Sequence, residues 1–290
     1  MIETVKGFKD FSGEEARKKA EIRKILVETF EKYGFEPAET PIIEYEDFVR
    51  GENSGDEVIS DIFKLKDKGN RDLALRYEFT FQLKRLMKNK KLPYKRYQVG
   101  EVFRDEPVSA NRFRQFTQCD VDVVGSTIKD DAEILVVTDE ILKKLNVKNI
   151  IYIGNRALLN EILSTIGIKK NQEAILREID KFDKLPETEV RKNLKKYKAE
   201  KLFSILKKPE KYFVKFENYK DIKELKEYCN LYGIKVKFQP FLVRGLSYYN
   251  RNVFEIKVKG MKETITGGGA YMFNDVQCTG ISFGLETNGL

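Results

Sequence analysis

Two runs of alternating character, "YKRYQVGEVFRDE" (94–106) and "RFRQFTQCDVDVVG" (112–125), flank the turn-forming segment "PVSAN". That pattern predicts an antiparallel β-hairpin with a long loop. Successive side chains of a strand point to opposite faces, so a period of two sorts the second run. Arg112, Arg114, Phe116, Gln118, Asp120 and Asp122 share one face; Phe113, Gln115, Thr117, Cys119 and Val121 share the other. A structural strand places solvated groups on its outer face with no particular order. Here cations, an aromatic ring, an amide and two carboxylates follow one another on a single face. Such a series suits a ligand that is anionic at one end and cationic at the other.

The hairpin sits in an α+β text. "SGEEARKKAEIRKILVETFEKYGF" predicts a helix, with Ser12 as N-cap, glutamates in the first turn, Ile22, Ile25, Leu26 and Phe30 on one face, and Gly34 at its end. "EPAETPIIEYEDFV" reads as an extended segment in which Pro41 marks an edge or a bulge. Short strands are expected near "DIFKLKDK" and "LALRYEF", a helix from Thr80 through "TFQLKRLMKNKK", an amphipathic helix over "DDAEILVVTDEILKKLNV" and a buried strand at "NIIYIGN". Residues 156–236 are Lys/Glu-rich and helical, broken at "KLPETE". Strand chemistry returns in "YGIKVKFQPFLVRGLSYYNRNVFEIKVKG". "TITGGGAYMF" places its glycines where a strand meets a turn or helix, and "CTGISFGLE" reads as a strand leading into a helix. Strands therefore lie on both sides of a helical block. The expected organisation is a domain in two parts, 1–155 and 237–290, with a helical insertion domain over 156–236.

Composition narrows the chemistry. Among 290 residues there is no histidine, and the three cysteines are far apart. Ser–His–Asp and Cys–His mechanisms and the common zinc sites are excluded together, and no metal site is expected. Arginine, lysine, carboxylates and backbone must carry any reaction. The formal net charge of +8 suits polyanionic partners such as RNA or nucleotides, and equally a Lys/Glu-rich surface of the heat-adapted kind. No run of 18 apolar residues is present, so no membrane span is expected. The charged opening "MIETVKGFKDFSGEEARKKA" has no apolar core of a secretory leader, which predicts a cytoplasmic protein.

Several stretches hold candidate chemistry. Arg104 at the end of the first strand and Arg112 and Arg114 at the start of the second can bind a polyphosphate through bidentate bonds, or form a solvated basic hairpin. Glu106 and Phe116 add an acceptor and a stacking face for a base. Gln118, Asp120 and Asp122 can hold a cationic group, or line an exposed sheet face. In "LVRGLSYYNRNVFE", Arg244 stands beside Gly245, where a ligand can come close. Tyr248 and Tyr249 are adjacent, so alternation predicts that at most one of them faces a given pocket. "GGGAY" matches neither GxGxxG nor a P-loop.

Taken in order, these pieces resemble the catalytic domain of class II aminoacyl-tRNA synthetases, and specifically the histidyl-tRNA synthetase family, over nearly the whole chain. "VKGFKDFSGEEA" is similar to the family's opening segment. "GFEPAETPIIEYEDF" is similar to the first class motif, "LALRYEFTFQLKR" to the amino-acid-binding loop, and "YQVGEVFRDE" with "RFRQFTQCDVDVVG" to the second class motif. "LVRGLSYYNRNVFE" is similar to the histidine-specific motif, "GGGAY" to the glycine segment after it, and "GISFGLE" to the start of the third class motif. The resemblance implies an antiparallel sheet flanked by helices, use of ATP and Mg²⁺, histidine and the acceptor arm of tRNA as partners, and a homodimer formed around Pro41. DNA is not an expected partner. It implies that Arg104 and Arg244 are catalytic. Arg104, Glu106, Arg112 and Phe116 would bind ATP: the α-phosphate, the adenine amino group, the γ-phosphate and the adenine ring respectively. Glu78, Thr80, Gln118, Asp122, Arg244, Tyr248, Tyr249 and Tyr271 would bind histidine.

The pattern departs from the family at three positions. Thr287 stands where the family has an arginine directly after "GLE", a residue that packs on adenine. Ser247 and Ala270 stand where Asp and Arg are usual. The sequence stops at Leu290, where the family continues into an anticodon-binding domain. Two expectations follow: a histidine–tRNA ligase catalytic core, or a non-catalytic paralogue serving as a histidine- or tRNA-binding regulatory subunit.

Overall fold

The computed structural model describes residues 2–50, 60–109, 112–183, 185–245, 248–258 and 264–286. The chain opens with α1 (Gly13–Lys32), whose buried stripe is Ile22, Leu26, Thr29 and Phe30. Ser12 is its N-cap residue, although its side chain makes no cap hydrogen bond. Gly34, at φ +77°, takes the left-handed turn that ends the helix. Then come β1 (Glu36–Pro37), β2 (Ile43–Tyr45), α2 (Glu46–Arg50), β3 (Lys64–Lys66), β4 (Asp72–Leu75) and α3 (Thr80–Leu86). The expected extended run is thus interrupted: "EDFV" is helical, starting on two carboxylates that suit a helix N-terminus.

The central hairpin is β5 (Tyr94–Phe103) and β6 (Gln115–Val124), followed by α4 (Ile128–Lys144) and β7 (Asn149–Asn155). Five helices follow: α5 (Arg156–Thr165), α6 (Gln172–Asp180), α7 (Glu187–Lys195), α8 (Glu200–Leu206) and α9 (Tyr219–Leu231). The chain closes with β8 (Val236–Phe238), β9 (Tyr249–Val258), β10 (Thr264–Phe273) and β11 (Val276–Gly284). The glycines of "TITGGGAYMF" correct the expectation: they lie inside β10, not where it ends. The helix expected after "GISFGLE", Ala110 and Asn111 of the hairpin turn, and the departures Ser247 and Thr287 lie outside the described residues.

Eight strands form one sheet in the order β1-β5-β6-β11-β10-β9-β7-β8. Only the edge pairs β1–β5 and β7–β8 are parallel; the six central strands pair antiparallel. A small antiparallel sheet, β2-β4-β3, stands apart. One face of the large sheet is apolar. Cys119, Val121 and Val123 of β6 meet Ile22, Leu26 and Phe30 of α1 and Ile134 and Leu135 of α4 in one buried cluster. Ile175, Leu176 and Ile179 of α6, with Phe203 of α8, belong to that same cluster. The helical block therefore shares its core with the sheet. Phe241 stacks on Phe182 at 4.6 Å and meets Phe203 edge-on at 5.2 Å, which ties the segment before Arg244 to this block. The opposite face of the sheet is where the polar residues collect.

Candidate active site

All of β6 from Thr117 onward is buried, so its polar face is no solvated outer face. Gln118, Asp120 and Asp122 are buried under a cavity of about 1020 Å³. The walls come from Asp61, the strap 77–80 leading into α3, the hairpin β5–β6, the segment 239–249, and strands β9, β10 and β11. Ile179, Asp180 and Phe182 of the helical block close one side.

Of the candidate binding residues named above, all but Arg114 line this one cavity. Arg104 lies between two rings, 4.4 Å from the Tyr77 centroid and 5.0 Å from that of Phe116. Its Nη2 donates to Gln118 Oε1 at 3.2 Å, and the Gln118 amide donates to Asp120 Oδ1 at 2.8 Å. The cationic and anionic parts of the strand face are thus hydrogen-bonded in series. Arg112 reaches Glu106 at 3.4 Å at the exposed mouth. Arg114 leaves the series. Its backbone bonds to Gly7 and its guanidinium pairs with Asp105 at 3.1 Å, because regular pairing of β6 begins only at Gln115.

The inner end carries the carboxylates. Tyr271 donates its hydroxyl to Asp122 Oδ1, and Tyr248 donates to Glu78 Oε2 at 3.4 Å. Tyr248 and Tyr249 both line the cavity, their centroids 4.7 Å apart. Alternation fails here because β9 begins at Tyr249, so Tyr248 is not held to strand geometry. Gly280 lies opposite Asp122 across β6–β11, and a Cβ there would collide with the Asp122 carboxylate. Arg244 has φ +71°, and its Nη1 donates to Glu255 at 3.0 Å.

Burial raises all three carboxyl groups of this site. Glu78 is pushed up to about 8, first by burial and then by Asp120. Asp120 rises to about 6, through burial and the charge of Asp122, with Arg96 opposing. Asp122 is also raised by burial, against the pull of Arg96 and the Tyr271 hydroxyl. Burial works against the charge on Arg244, but Tyr249 and Glu255 hold its pKa above the ordinary arginine value.

Sequence reasoning missed Arg96. It is wholly buried and faces Asp122, its Nη2 2.7 Å from Asp122 Oδ2. A period of two through Arg96, Gln98 and Gly100 carried the signal; only the pairing register shows what Arg96 opposes. Arg76, which donates to the carbonyls of Glu101 (2.6 Å) and Thr40 (2.8 Å), was missed as the anchor of the strap. Among the described residues no group of three or more His, Cys, Asp or Glu side chains could hold a metal ion.

A largely antiparallel sheet, covered by helices on one face and holding a cavity lined by charged residues on the other, is the class II aminoacyl-tRNA synthetase fold. Comparison with known proteins specifies it further. Residues 7–287 match the family model for histidyl-tRNA synthetase. Histidine–tRNA ligase 1 of Bacillus anthracis is 34% identical over 320 residues, covering 98% of this chain and 75% of the relative. The histidine–tRNA ligase of Wolinella succinogenes is 34% identical over 307 residues, 92% of this chain and 68% of the relative. Two solved structures share the fold with a TM-score of 0.85. One is histidyl-tRNA synthetase from Nostoc sp. PCC 7120 (24% identity, 98% of this chain, 74% of that one). The other is an ATP phosphoribosyltransferase regulatory subunit/histidyl-tRNA synthetase from Bacillus halodurans C (22% identity, 99% and 82%). The chain belongs to the histidyl-tRNA synthetase family.

Proposed function

We propose that this chain is a histidine–tRNA ligase catalytic core: it activates histidine with ATP to the adenylate and passes the aminoacyl group to tRNA. One observation supports this most directly. The phosphate-facing guanidinium of Arg104 and the amino-acid-facing Gln118 are hydrogen-bonded neighbours within one cavity. Two substrates bound there would meet end to end.

In this reading Glu78, Thr80 and Gln118 bind the histidine ammonium, and Asp122, Tyr248, Tyr249 and Tyr271 surround the imidazole. Glu106 and Phe116 receive adenine, and Arg112 the γ-phosphate at the mouth. Arg104 and Arg244 flank the α-phosphate. The histidine carboxylate attacks that phosphorus, the bond to the β,γ-phosphates breaks, and pyrophosphate leaves. A carboxylate is already a nucleophile, so the step needs no general base. Catalysis is alignment together with charge neutralisation by fixed guanidiniums. Mg²⁺ bound with ATP would supply further charge neutralisation on the triphosphate.

The same reading makes 156–236 an insertion between two parts of the catalytic domain, 1–155 and 237–290. Exposed Ile42, Ile43 and Tyr45 beside Pro41 support a homodimer contact there. The acceptor arm of tRNA meets the basic surface, and the compartment is the cytoplasm; no helix among the described residues is long and apolar enough to cross a membrane.

The alternative is a histidine- or tRNA-binding regulatory subunit. It draws on the fold shared with the Bacillus halodurans C chain, whose name includes a regulatory subunit. The ATP-facing set Arg104, Glu106, Arg112 and Phe116, kept together in the cavity, favours the enzyme. Histidine-dependent exchange of pyrophosphate into ATP tests the choice. Exchange with histidine alone supports the ligase; histidine binding without exchange supports the regulatory subunit.

A further inference from the structure

Arg96 is not part of the cavity wall; it lies behind it. In the β5–β6 register it stands directly opposite Asp122. Its Nη2 lies 2.7 Å from Asp122 Oδ2 and also donates to the Phe79 carbonyl at 3.2 Å. Phe79 sits between Glu78 and Thr80 in the strap. One buried guanidinium therefore touches both halves of the amino-acid subsite: the strand that carries Asp122 and the strap that carries Glu78 and Thr80.

Stability alone is a poor reason for this arrangement. A buried ion pair is often no better than an apolar pair of the same volume, because both ions lose their water. The Asp122 contact is an ion pair without hydrogen-bond alignment. Nε and Nη1 of Arg96 have no hydrogen-bond partner among the described residues. What the guanidinium does provide is position and charge. Burial alone would push the Asp122 carboxyl toward its neutral form, and Arg96 is the cation in direct contact that opposes this.

We propose that Arg96 is a positioning residue: it fixes the place and the ionised form of Asp122, and the spacing between Asp122 and the Glu78–Thr80 strap, and so selects an amino acid with a ring N–H at that distance from its ammonium. The inference rests on the reading of Asp122 as the imidazole partner. Arg96→Leu removes both contacts. Arg96→Lys keeps the charge but carries it on a shorter, more strongly hydrated head that does not reach the place from which Nη2 meets both oxygens.

The test is histidine-dependent pyrophosphate exchange on Arg96→Leu, Arg96→Lys and Asp122→Asn, with thermal melts in parallel. Arg96→Leu should raise the histidine KM by about 20-fold or more and leave the ATP KM within about twofold; Arg96→Lys should recover part of the loss. A folded Arg96→Leu with unchanged histidine KM, or with equal rises for histidine and ATP, overturns the proposal. If Arg96→Leu does not fold, Arg96→Lys decides: a rise confined to histidine upholds the role, and an unchanged KM removes it. Asp122→Asn separates the two levels. An unchanged histidine KM there means that Asp122 does not read the ring. A raised KM in Asp122→Asn but not in the Arg96 variants removes only the role of Arg96.

Discussion

The guanidinium of Arg244 rests on the backbone of Gly267. A Cβ at position 267 would lie 2.5 Å from Nη1 and 2.7 Å from Cζ. The glycine of β10 and the arginine before β9 form one device, since the bare backbone lets the cation settle into the cavity. Gly267→Ala must push Arg244 aside or bend the strand. Pyrophosphate exchange should fall by about 10- to 100-fold, because a displaced cation no longer neutralises the reacting phosphate. Wild-type exchange in a folded Gly267→Ala protein would show that Arg244 does not act from this place.

Removing Arg244 outright should cost more. Arg244→Ala should lower exchange by about 10²- to 10³-fold. It also deprives the half-buried Glu255 of a 3.0 Å partner. Pairing it with Glu255→Gln should recover thermal stability without recovering rate. Recovery of both would make the Arg244–Glu255 pair structural.

Glu78 gives the ligand-free protein a pH dependence with a definite sign. Its ordinary value is 4.5, and burial with Asp120 pushes it up to about 8 in the fold. Between these values the unfolded chain has released the proton and the folded chain keeps it. The unfolded state then binds fewer protons, so stability falls as pH rises. Asp120, raised to about 6, and Asp131, raised to about 7, act in the same direction. Stability from urea unfolding should decline from about pH 5 to about pH 8. Glu78→Gln should flatten that decline by up to a few kcal/mol. An equal slope in wild type and Glu78→Gln would show that Glu78 keeps its ordinary pKa in the fold.

A second buried polar chain is predicted to be purely structural. Asn155 Nδ2 donates to Asn252 Oδ1 at 2.9 Å, and Asn252 Nδ2 donates to Asp131 Oδ2 at 2.8 Å; all three residues are buried. It ties β7, β9 and α4 together away from the cavity. Asn252→Ala leaves both neighbours short of a partner and should destabilise by about 2–3 kcal/mol in urea unfolding. Histidine and ATP KM values should stay unchanged; a selective rise in either would bring this network into the site.

Much of the site is legible from local pattern because strands and helices have fixed periods. The alternation of "RFRQFTQCDVDVVG" places Phe116, Gln118, Asp120 and Asp122 on one face, and those four do line one cavity. The same rule misplaces Arg114 and Tyr248, and the glycines expected at the end of a strand lie inside β10. Arg114 and Tyr248 stand just outside their strands, where alternation has no hold. The glycines lie within β10 because neighbouring strands come too close for a Cβ: one on Gly268 would collide with the Gly280 carbonyl.

The sequence by itself determined which residues share a face, where the main helices run and which chemistry is excluded by the absence of histidine. These follow from repeat geometry and side-chain chemistry, which are properties of a short stretch of chain. Only the tertiary structure decided that the polar face of β6 is buried, that Arg96 opposes Asp122, that Gly267 seats Arg244, and that helices far along the chain wall the cavity. Each of those depends on register between strands distant in sequence and on which faces the packed core covers, and a local period does not encode either.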